Sequence, residues 1–236
     1  MTDSNHISKE PRGNEIVIRF RDFGLPIVEE YANGIKLGEG LHTHEALAGA
    51  IFHSRETVGC ETPILPRGAI QYSHSEDKSR TFCFLEMAPQ NRDIFYHEAK
   101  ITDVPFPRLV FGFELIKKEQ KFIISEVMVC ALEEECLANE DAEVYNYPYS
   151  NVDNHKVCWG GSRLPDLDRV SQLSTIPELF FNSPNSDCYY SSANVSGKNY
   201  RELVETLKNK SFPDKYLKNT GLKLSAWINQ RINPFK

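Results

Sequence analysis

The sequence lacks the segments that would carry a chain into or across a membrane. Residues 1 to 30 contain neither the apolar stretch nor the small-residue cleavage site of a signal peptide, and no window approaches the roughly 18 apolar residues of a membrane span. Cysteine is also scarce, because six residues in a chain of 236 are too few for a disulfide scaffold. We therefore expect a cytoplasmic protein with reduced cysteines and no membrane partner.

An excess of basic residues is absent as well. The chain has 27 lysines and arginines against 33 aspartates and glutamates, which gives a net charge of −6. Without a basic stripe the chain has no electrostatic footprint for a phosphate backbone. A zinc site drawn from His155, Cys158, Cys188 and either Cys130 or Cys136 would lack the C-x-x-C spacing of zinc ligands. The sequence predicts no nucleic-acid partner, no bound metal and no cofactor.

The chain does have enough apolar sequence for one core with extensions, since 40% of its residues are hydrophobic. Residues 1–14 are polar, contain Pro and Gly, and predict a disordered lead-in. Residues 15–60 predict a hairpin that turns at Asn33-Gly34, followed by a helix capped by Thr43. The apolar face of that helix would consist of Leu47, Ala50 and Ile51.

Between residues 69 and 132 the pattern changes to runs of β-branched and aromatic residues. The polar breaks between the runs are as short as hairpin loops, so successive runs should pair antiparallel. The runs are AIQYS, RTFCFLEM, DIFYHEAKI, RLVFGFELI and KFIISEVMVCAL. Pro105 and Pro107 mark the start of the fourth run. Its alternating residues Leu109, Phe111 and Phe113 should point to one face and fill the core.

Helical patterns follow this strand-rich region. They predict a short helix near residues 176–181, a second with Tyr200, Leu203, Val204 and Leu207 on one face, and a third with Leu224, Trp227 and Ile228 on one face. We assign residues 211–236 to a C-terminal helical extension. The whole pattern predicts an α+β fold, an antiparallel β-meander of four to five strands flanked by helices that pack on one face.

The segment YNYPYSNVDNHKVCWGG, residues 145–161, holds a thiol, Cys158, seven positions after Asn151. Taken singly, Cys158 fits a small buried residue, Asn151 a turn residue and His155 an exposed loop histidine. The pair Cys-Trp is also found around the nucleophile of papain-like proteases. Those enzymes take their base from a histidine far downstream, and no histidine follows His155 in this chain.

A resemblance gives the segment a sharper interpretation. The ordered fragments LPRG (65–68), PFPRLVF (105–111), VCAL (129–132), YPYSNV (147–152), VCWGG (157–161) and FFNSP (180–184) resemble the prokaryotic ubiquitin-conjugating-enzyme-like family D, whose members include proteins of the PRTRC system. The similarity runs from about residue 60 to residue 190. It implies a ubiquitin-conjugating-like core at residues 61–210.

The resemblance implies that Cys158 accepts a ubiquitin-like protein as a thioester from a ThiF-like adenylating enzyme and passes it to an amine. A JAB-type peptidase would belong to the same system. Tyr149-Ser150-Asn151 stands where ubiquitin-conjugating enzymes have His-Pro-Asn, so the Asn151 amide could stabilise an oxyanion or brace the loop. By position, Asp187, with Asn185 behind it, is the candidate acid for the incoming amine, although a solvated loop acid is the plainer interpretation.

An alternative of another class remains open at this point. Proteins of this fold include members that bind a ubiquitin-like partner without forming a thioester, and the missing His-Pro would suit such an adaptor. The thiol discriminates between the two functions, because an adaptor would have no reason to expose Cys158.

Overall fold

The computed structural model describes residues 13–54, 62–75, 79–191 and 193–232, so nearly all of the predicted disordered lead-in, residues 1–14, lies outside the described residues. The chain forms two compact units, Met1–Glu61 and Thr62–Lys236. Within the described ranges, no helix has the length and apolar character needed to cross a membrane.

The first unit is an antiparallel three-stranded sheet followed by a helix. Its elements are β1 (Asn14–Arg19), β2 (Ile27–Ala32), β3 (Ile35–Leu41) and α1 (His44–Ser54). Asn33 and Gly34 both have positive φ and form the predicted turn. The predicted turn requires β3 after it, but the sequence pattern alone does not delimit this strand, because two glycines and two charged residues interrupt its apolar alternation.

Helix α1 begins at the predicted cap. The Thr43 side-chain oxygen accepts a hydrogen bond from the Ala46 N–H at 3.1 Å, which satisfies one of the free donors of the first turn. On the predicted apolar face, Leu47 is buried but Ile51 is half exposed. The face is therefore apolar but only partly covered.

The second unit is built on an eight-stranded sheet. Its long strands are β4 (Ala69–His74), β5 (Arg80–Met87), β8 (Arg108–Lys118) and β9 (Lys121–Leu132), which pair antiparallel in that spatial order. Beyond β9 lie the short strands β10 (Glu143–Tyr145), β11 (Val152–Asp153), β12 (Lys156–Val157) and β13 (Asn219–Lys223). The antiparallel pairing predicted for this region is confirmed.

The predicted order of the meander is wrong at one run. DIFYHEAKI is not a strand of the main sheet, because its residues belong to a separate hairpin of β6 (Gln90–Tyr96) and β7 (Ala99–Phe106). The hairpin turns at His97, whose φ is +51°, without the Asn-Gly or Gly pair that signals such a turn. The sheet therefore passes from β5 directly to β8.

The prediction that Pro105 and Pro107 mark the start of a strand is correct for Pro107 alone. Pro107 immediately precedes the strand, but Pro105 lies in β7, opposite Asn91. Leu109, Phe111 and Phe113 are all fully buried in one cluster, as their alternation predicts.

Helices cover both faces of the main sheet, and the prediction of one covered face is wrong. On one face, Phe111 packs against Phe180 of α2 (Ile176–Phe181), in a cluster that includes the buried side of α3 (Tyr200–Leu207). On the other face, Phe84 packs edge-on against Trp227 of α4 (Leu224–Ile232), with the ring centroids 5.8 Å apart. Residues assigned to an extension thus contribute β13 and α4 to the sheet and its core.

Gly112 leaves room for the Phe84 ring on the face of the sheet that α4 covers, and replacing this glycine should destabilise the protein. A Cβ atom at this position would lie 2.8 Å from Cε1 of Phe84, a fully buried ring. We expect Gly112→Ala to lower the free energy of unfolding by about 1 to 3 kcal/mol, because the packed core cannot give way. Urea denaturation of both proteins measures the difference.

Gly161→Ala is the matched control, since a Cβ atom there meets nothing within 4 Å. Its free energy of unfolding should stay within about 0.5 kcal/mol of the wild-type value. Equal stability of the Gly112→Ala and Gly161→Ala variants would show that Phe84 does not pack against β8 in this way.

Candidate functional site

Cys158 lies directly after β12 and outside any strand, with its side chain exposed. The preceding hairpin of β11 and β12 turns at Asn154 and His155, both with positive φ. The Cys158 N–H donates a hydrogen bond to the Asn151 carbonyl at 2.8 Å. The main chain of the thiol is thereby fixed against the loop seven residues before it.

Most other described cysteines lie in different surroundings. Cys83 and Cys130 are buried in strands, where burial raises the pKa of both thiols, that of Cys83 to about 12. Cys136 is half-buried, and Cys60 lies outside the described residues. Cys188 is exposed like Cys158. The sequence brought up Cys188 only as one ligand of a zinc site without the usual spacing, and no local pattern marks it as different from a loop cysteine.

Asn151 connects the two exposed cysteines. It has a left-handed backbone conformation, with φ of +66°, which asparagine tolerates better than most residues. Its N–H donates to the Cys188 carbonyl at 3.1 Å, while its own carbonyl accepts from Cys158. Its side-chain Nδ2 donates to the Pro184 carbonyl at 2.9 Å. These contacts brace the Asn151 loop against residues 184–188.

A buried polar pair supports this loop from behind. Ser150 is fully buried and donates its hydroxyl to Asn185 Oδ1 at 3.0 Å. Asn185, also buried, donates from its main-chain N–H to the Phe95 carbonyl at 2.7 Å and accepts from the His97 N–H at 2.9 Å. The pair therefore ties the Asn151 loop and the segment 184–188 to the β6–β7 hairpin.

Asp187 is exposed on the same segment as Cys188. Its Oδ1 accepts a hydrogen bond from the Tyr96 hydroxyl at 3.0 Å. Burial and this carboxylate both raise the pKa of Tyr96. Tyr96 stacks on Tyr200 with ring centroids 4.9 Å apart. The three side chains line a cavity of about 780 Å³, together with Tyr190, Ser191, Asn194, Gly197, Lys198 and Asn199.

His155 is buried, and the prediction of an exposed loop histidine is wrong. The residue is 6% exposed, its Nδ1 lies 3.3 Å from the Val129 carbonyl oxygen, and its ring and that of Trp227 pack edge to face. The local sequence could not show this, because Trp227 is 72 positions away in the chain. In the described parts of the chain, no three His, Cys, Asp or Glu side chains are grouped as metal ligands.

The burial of His155 predicts a pH-dependent stability. Burial, together with the nearby charge of Arg231, lowers the pKa of His155 from 6.5 to about 4. Below pH 6.5 the unfolded chain binds a proton that the folded chain does not. Stability should therefore fall as the pH falls from about 6.5 to about 4, by roughly 3 kcal/mol from this group.

Urea denaturation followed by tryptophan fluorescence measures this dependence, since both tryptophans, Trp159 and Trp227, lie in the second unit. His155→Asn is the matched variant, because asparagine also tolerates the positive φ of this position but does not titrate. The variant should lose less stability than the wild type between pH 6.5 and 4.5. Equal losses would mean that the imidazole is not buried in its neutral form.

The arrangement is suited to an accessible thiol nucleophile. Trp159 packs its ring edge-on against Phe180, with centroids 6.1 Å apart, and so anchors the residue after the thiol. Gly160 and Gly161 follow in an exposed turn. A Cβ atom added at either position would meet no other atom within 4 Å. The two residues after Trp159 therefore carry no side chain that would cover the exposed thiol.

The part of the chain that contains this site matches a known protein family. The model of the family described as Prokaryotic E2 family D matches residues 69–220, which include the main sheet up to the start of β13, the Asn151 loop, Cys158 and Asp187. No curated protein and no solved structure matches the chain significantly. Because the match covers more than half of the sequence, the chain belongs to the prokaryotic E2 family D.

Proposed function

We propose that the protein is a ubiquitin-conjugating-type transferase. Cys158 accepts the C-terminal acyl group of a ubiquitin-like protein from a ThiF-like adenylating enzyme, and the resulting thioester is passed to an amine. A JAB-type peptidase of the same system would act on the conjugates. Membership of the prokaryotic E2 family D supports a role related to ubiquitin conjugation.

The observation that carries the proposal is the exposure of Cys158 on a braced loop inside the matched region. A cysteine kept only for packing is among the most buried residue types, as Cys83 and Cys130 are in this protein. An exposed thiol held by a main-chain hydrogen bond to Asn151 is instead suited to reaction with a large partner.

Loading of the thiol is chemically undemanding. A free cysteine is only a few per cent thiolate at neutral pH, but it is intrinsically a strong nucleophile. The donor is itself a thioester, so the reaction exchanges one thiol for another at nearly constant bond energy. Positioning is then the main requirement, and the hydrogen bond from the Cys158 N–H to the Asn151 carbonyl contributes to it by holding the main chain of the thiol in place.

Discharge onto an amine is harder, because a lysine ammonium must first lose a proton. Asp187 is the candidate for this step. Its carboxylate is oriented by the Tyr96 hydroxyl and lines the cavity of about 780 Å³, whose lining includes neither Cys158 nor Asn151. An amine that enters this cavity would meet the Asp187 carboxylate as a hydrogen-bond acceptor. Asp187 directly precedes Cys188, whose carbonyl accepts a hydrogen bond from the Asn151 N–H.

An adaptor that binds a ubiquitin-like protein or its activating enzyme is the second candidate function. The packing of the Tyr-Ser-Asn segment favours it, because all three side chains are engaged in structural contacts. Tyr149 is buried and donates to the Pro105 carbonyl, Ser150 donates to Asn185, and Asn151 donates to Pro184. None of these hydrogen bonds requires a reaction at Cys158.

A loading assay distinguishes the two functions. The full chain is incubated with ATP, its ThiF-like enzyme and the ubiquitin-like protein, and the products are separated with and without thiol reductant. The transferase gives a band of higher mass that disappears with reductant. An adaptor binds the ubiquitin-like protein or the enzyme in a native pull-down but gives no such band, and that result would overturn the proposal.

A further inference from the structure

Three consecutive main-chain N–H groups after Cys158 have no hydrogen-bond partner in the described part of the chain. They belong to Trp159, Gly160 and Gly161. The groups on either side are engaged, since the Cys158 N–H donates to Asn151 and the Ser162 N–H donates to the Trp159 carbonyl at 3.0 Å. The free donors therefore lie in a closed turn whose conformation is fixed at both ends.

The turn has the backbone geometry that leaves such donors available. Gly160 has φ of +57°, whereas Gly161 lies outside the left-handed region. Both glycines are exposed, and a Cβ atom at either position would meet nothing within 4 Å. The two glycines have no side chain to shield the donors, and neighbouring N–H groups in turns of this kind form concave sites for anions.

The side chain of Asn151 is already committed elsewhere. Its Nδ2 donates to the Pro184 carbonyl at 2.9 Å, which fixes the amide toward residues 184–188. The Cys158 N–H cannot serve either, because it donates to the Asn151 carbonyl. Neither of these two donors is free for a negative oxygen at the thiol, whereas the N–H groups of the three residues after Cys158 are free of partners among the described residues.

We propose that the N–H groups of Trp159, Gly160 and Gly161 form the oxyanion site for acyl transfer at Cys158, and that Asn151 acts as a positioning residue. This inference rests on the proposed function. The Cys158 thiolate attacks the carbonyl carbon of the donor thioester, and the π electrons move to oxygen. The oxyanion is held by the turn, and its collapse expels the donor thiolate, which takes a proton from water.

A pair of variants at residue 161 isolates one of these donors. Gly161→Pro removes the N–H, and Gly161→Ala keeps it in the same open space, so the alanine variant is the reference. Both are made in a Cys188→Ser background, which leaves Cys158 as the exposed thiol among the described residues. The probes are a small alkyl thioester of N-acetylglycine and iodoacetamide.

The two probes separate oxyanion stabilisation from access to the thiol. Acyl transfer passes through an oxyanion, whereas alkylation by iodoacetamide does not. We expect the proline variant to be acylated at least about tenfold more slowly than the alanine variant, with alkylation rates within about twofold. Equal acylation rates, or acylation and alkylation slowed by the same factor, would overturn the proposal.

A second pair keeps the test decisive if the proline variant does not fold. Gly160→Asn tolerates the positive φ, whereas Gly160→Val does not and should reorient the neighbouring N–H groups. The valine variant should show the lower ratio of acylation to alkylation, and an equal ratio in both would contradict the proposal. Because no partner protein is used, failure of the loading assay and failure of the oxyanion site are separate results.

Discussion

Cys158→Ser should eliminate the reductant-sensitive band in the loading assay. A serine hydroxyl is a far weaker nucleophile than a thiolate at neutral pH, so loading should stop or yield an oxyester that survives thiol reductant. The expected loss is complete within the sensitivity of a gel. The same variant should retain the wild-type fold, because the side chain is exposed.

Two further variants control for the other thiols. Cys188→Ser removes the second exposed thiol, and Cys130→Ser changes a buried one. Both should load like the wild type, provided that Cys130→Ser is assayed below its lowered melting temperature. If Cys158→Ser loads and discharges normally, the thiol is structural and the adaptor function takes precedence. If only Cys188→Ser fails to load, the acceptor has been assigned to the wrong cysteine.

Phe111→Ala should lower the free energy of unfolding by about 3 to 5 kcal/mol. Phe111 is fully buried in the first half of β8 and packs between the sheet and α2. Its ring centroid lies 5.8 Å from that of Phe180 and 5.9 Å from that of Phe181. Truncation would leave a cavity between the sheet and this helix, because neighbouring rings cannot collapse into the space.

Phe95→Ala is the matched control for this prediction. Phe95 lies in β6 of the separate hairpin and is 40% exposed, so its truncation should cost much less than that of Phe111. Denaturation in urea, fitted with a common slope, gives both values. A loss below about 1 kcal/mol for Phe111→Ala would show that β8 does not present this face to the core.

The periodicity of apolar residues in the sequence correctly predicted which side chains of several strands and helices are buried. Alternation of apolar residues placed Leu109, Phe111 and Phe113 on a buried face, and helical spacing identified the buried residues of α3 and α4. Three strands with weak patterns were not delimited or were assigned to the wrong sheet. β3 contains glycines and charges, and the β6–β7 turn lacks a recognisable turn pair.

Contacts between distant segments could not be predicted in the same way. The alternation in β5 shows two apolar faces, but it does not reveal that α4 covers the face containing Phe84. The burial of His155 has the same origin, since Trp227 covers the ring. A histidine in a turn of polar residues looks exposed until that helix is in place.

In the candidate site, too, single residues could be predicted from the sequence but the contacts between them could not. The resemblance pointed to Cys158, Asn151 and Asp187 as separate positions. In the structure a main-chain hydrogen bond joins Cys158 to Asn151, and Asn151 is bonded to the segment 184–188 that contains Asp187. Asn151 binds the main chain of Cys188 and the Pro184 carbonyl, while Ser150 binds Asn185. These partners are more than 30 positions apart in the chain, so no spacing rule could have found them.

The most direct test of the central claim is to identify the residue that carries the ubiquitin-like protein. The loaded wild-type protein is digested without reductant at low pH, where thioesters survive, and the linked peptide is sequenced by mass spectrometry. The proposed function predicts a reductant-labile link to the peptide that contains Cys158. A link to Cys188, a reductant-stable link to a lysine, or no link under conditions that charge the adenylating enzyme would contradict it.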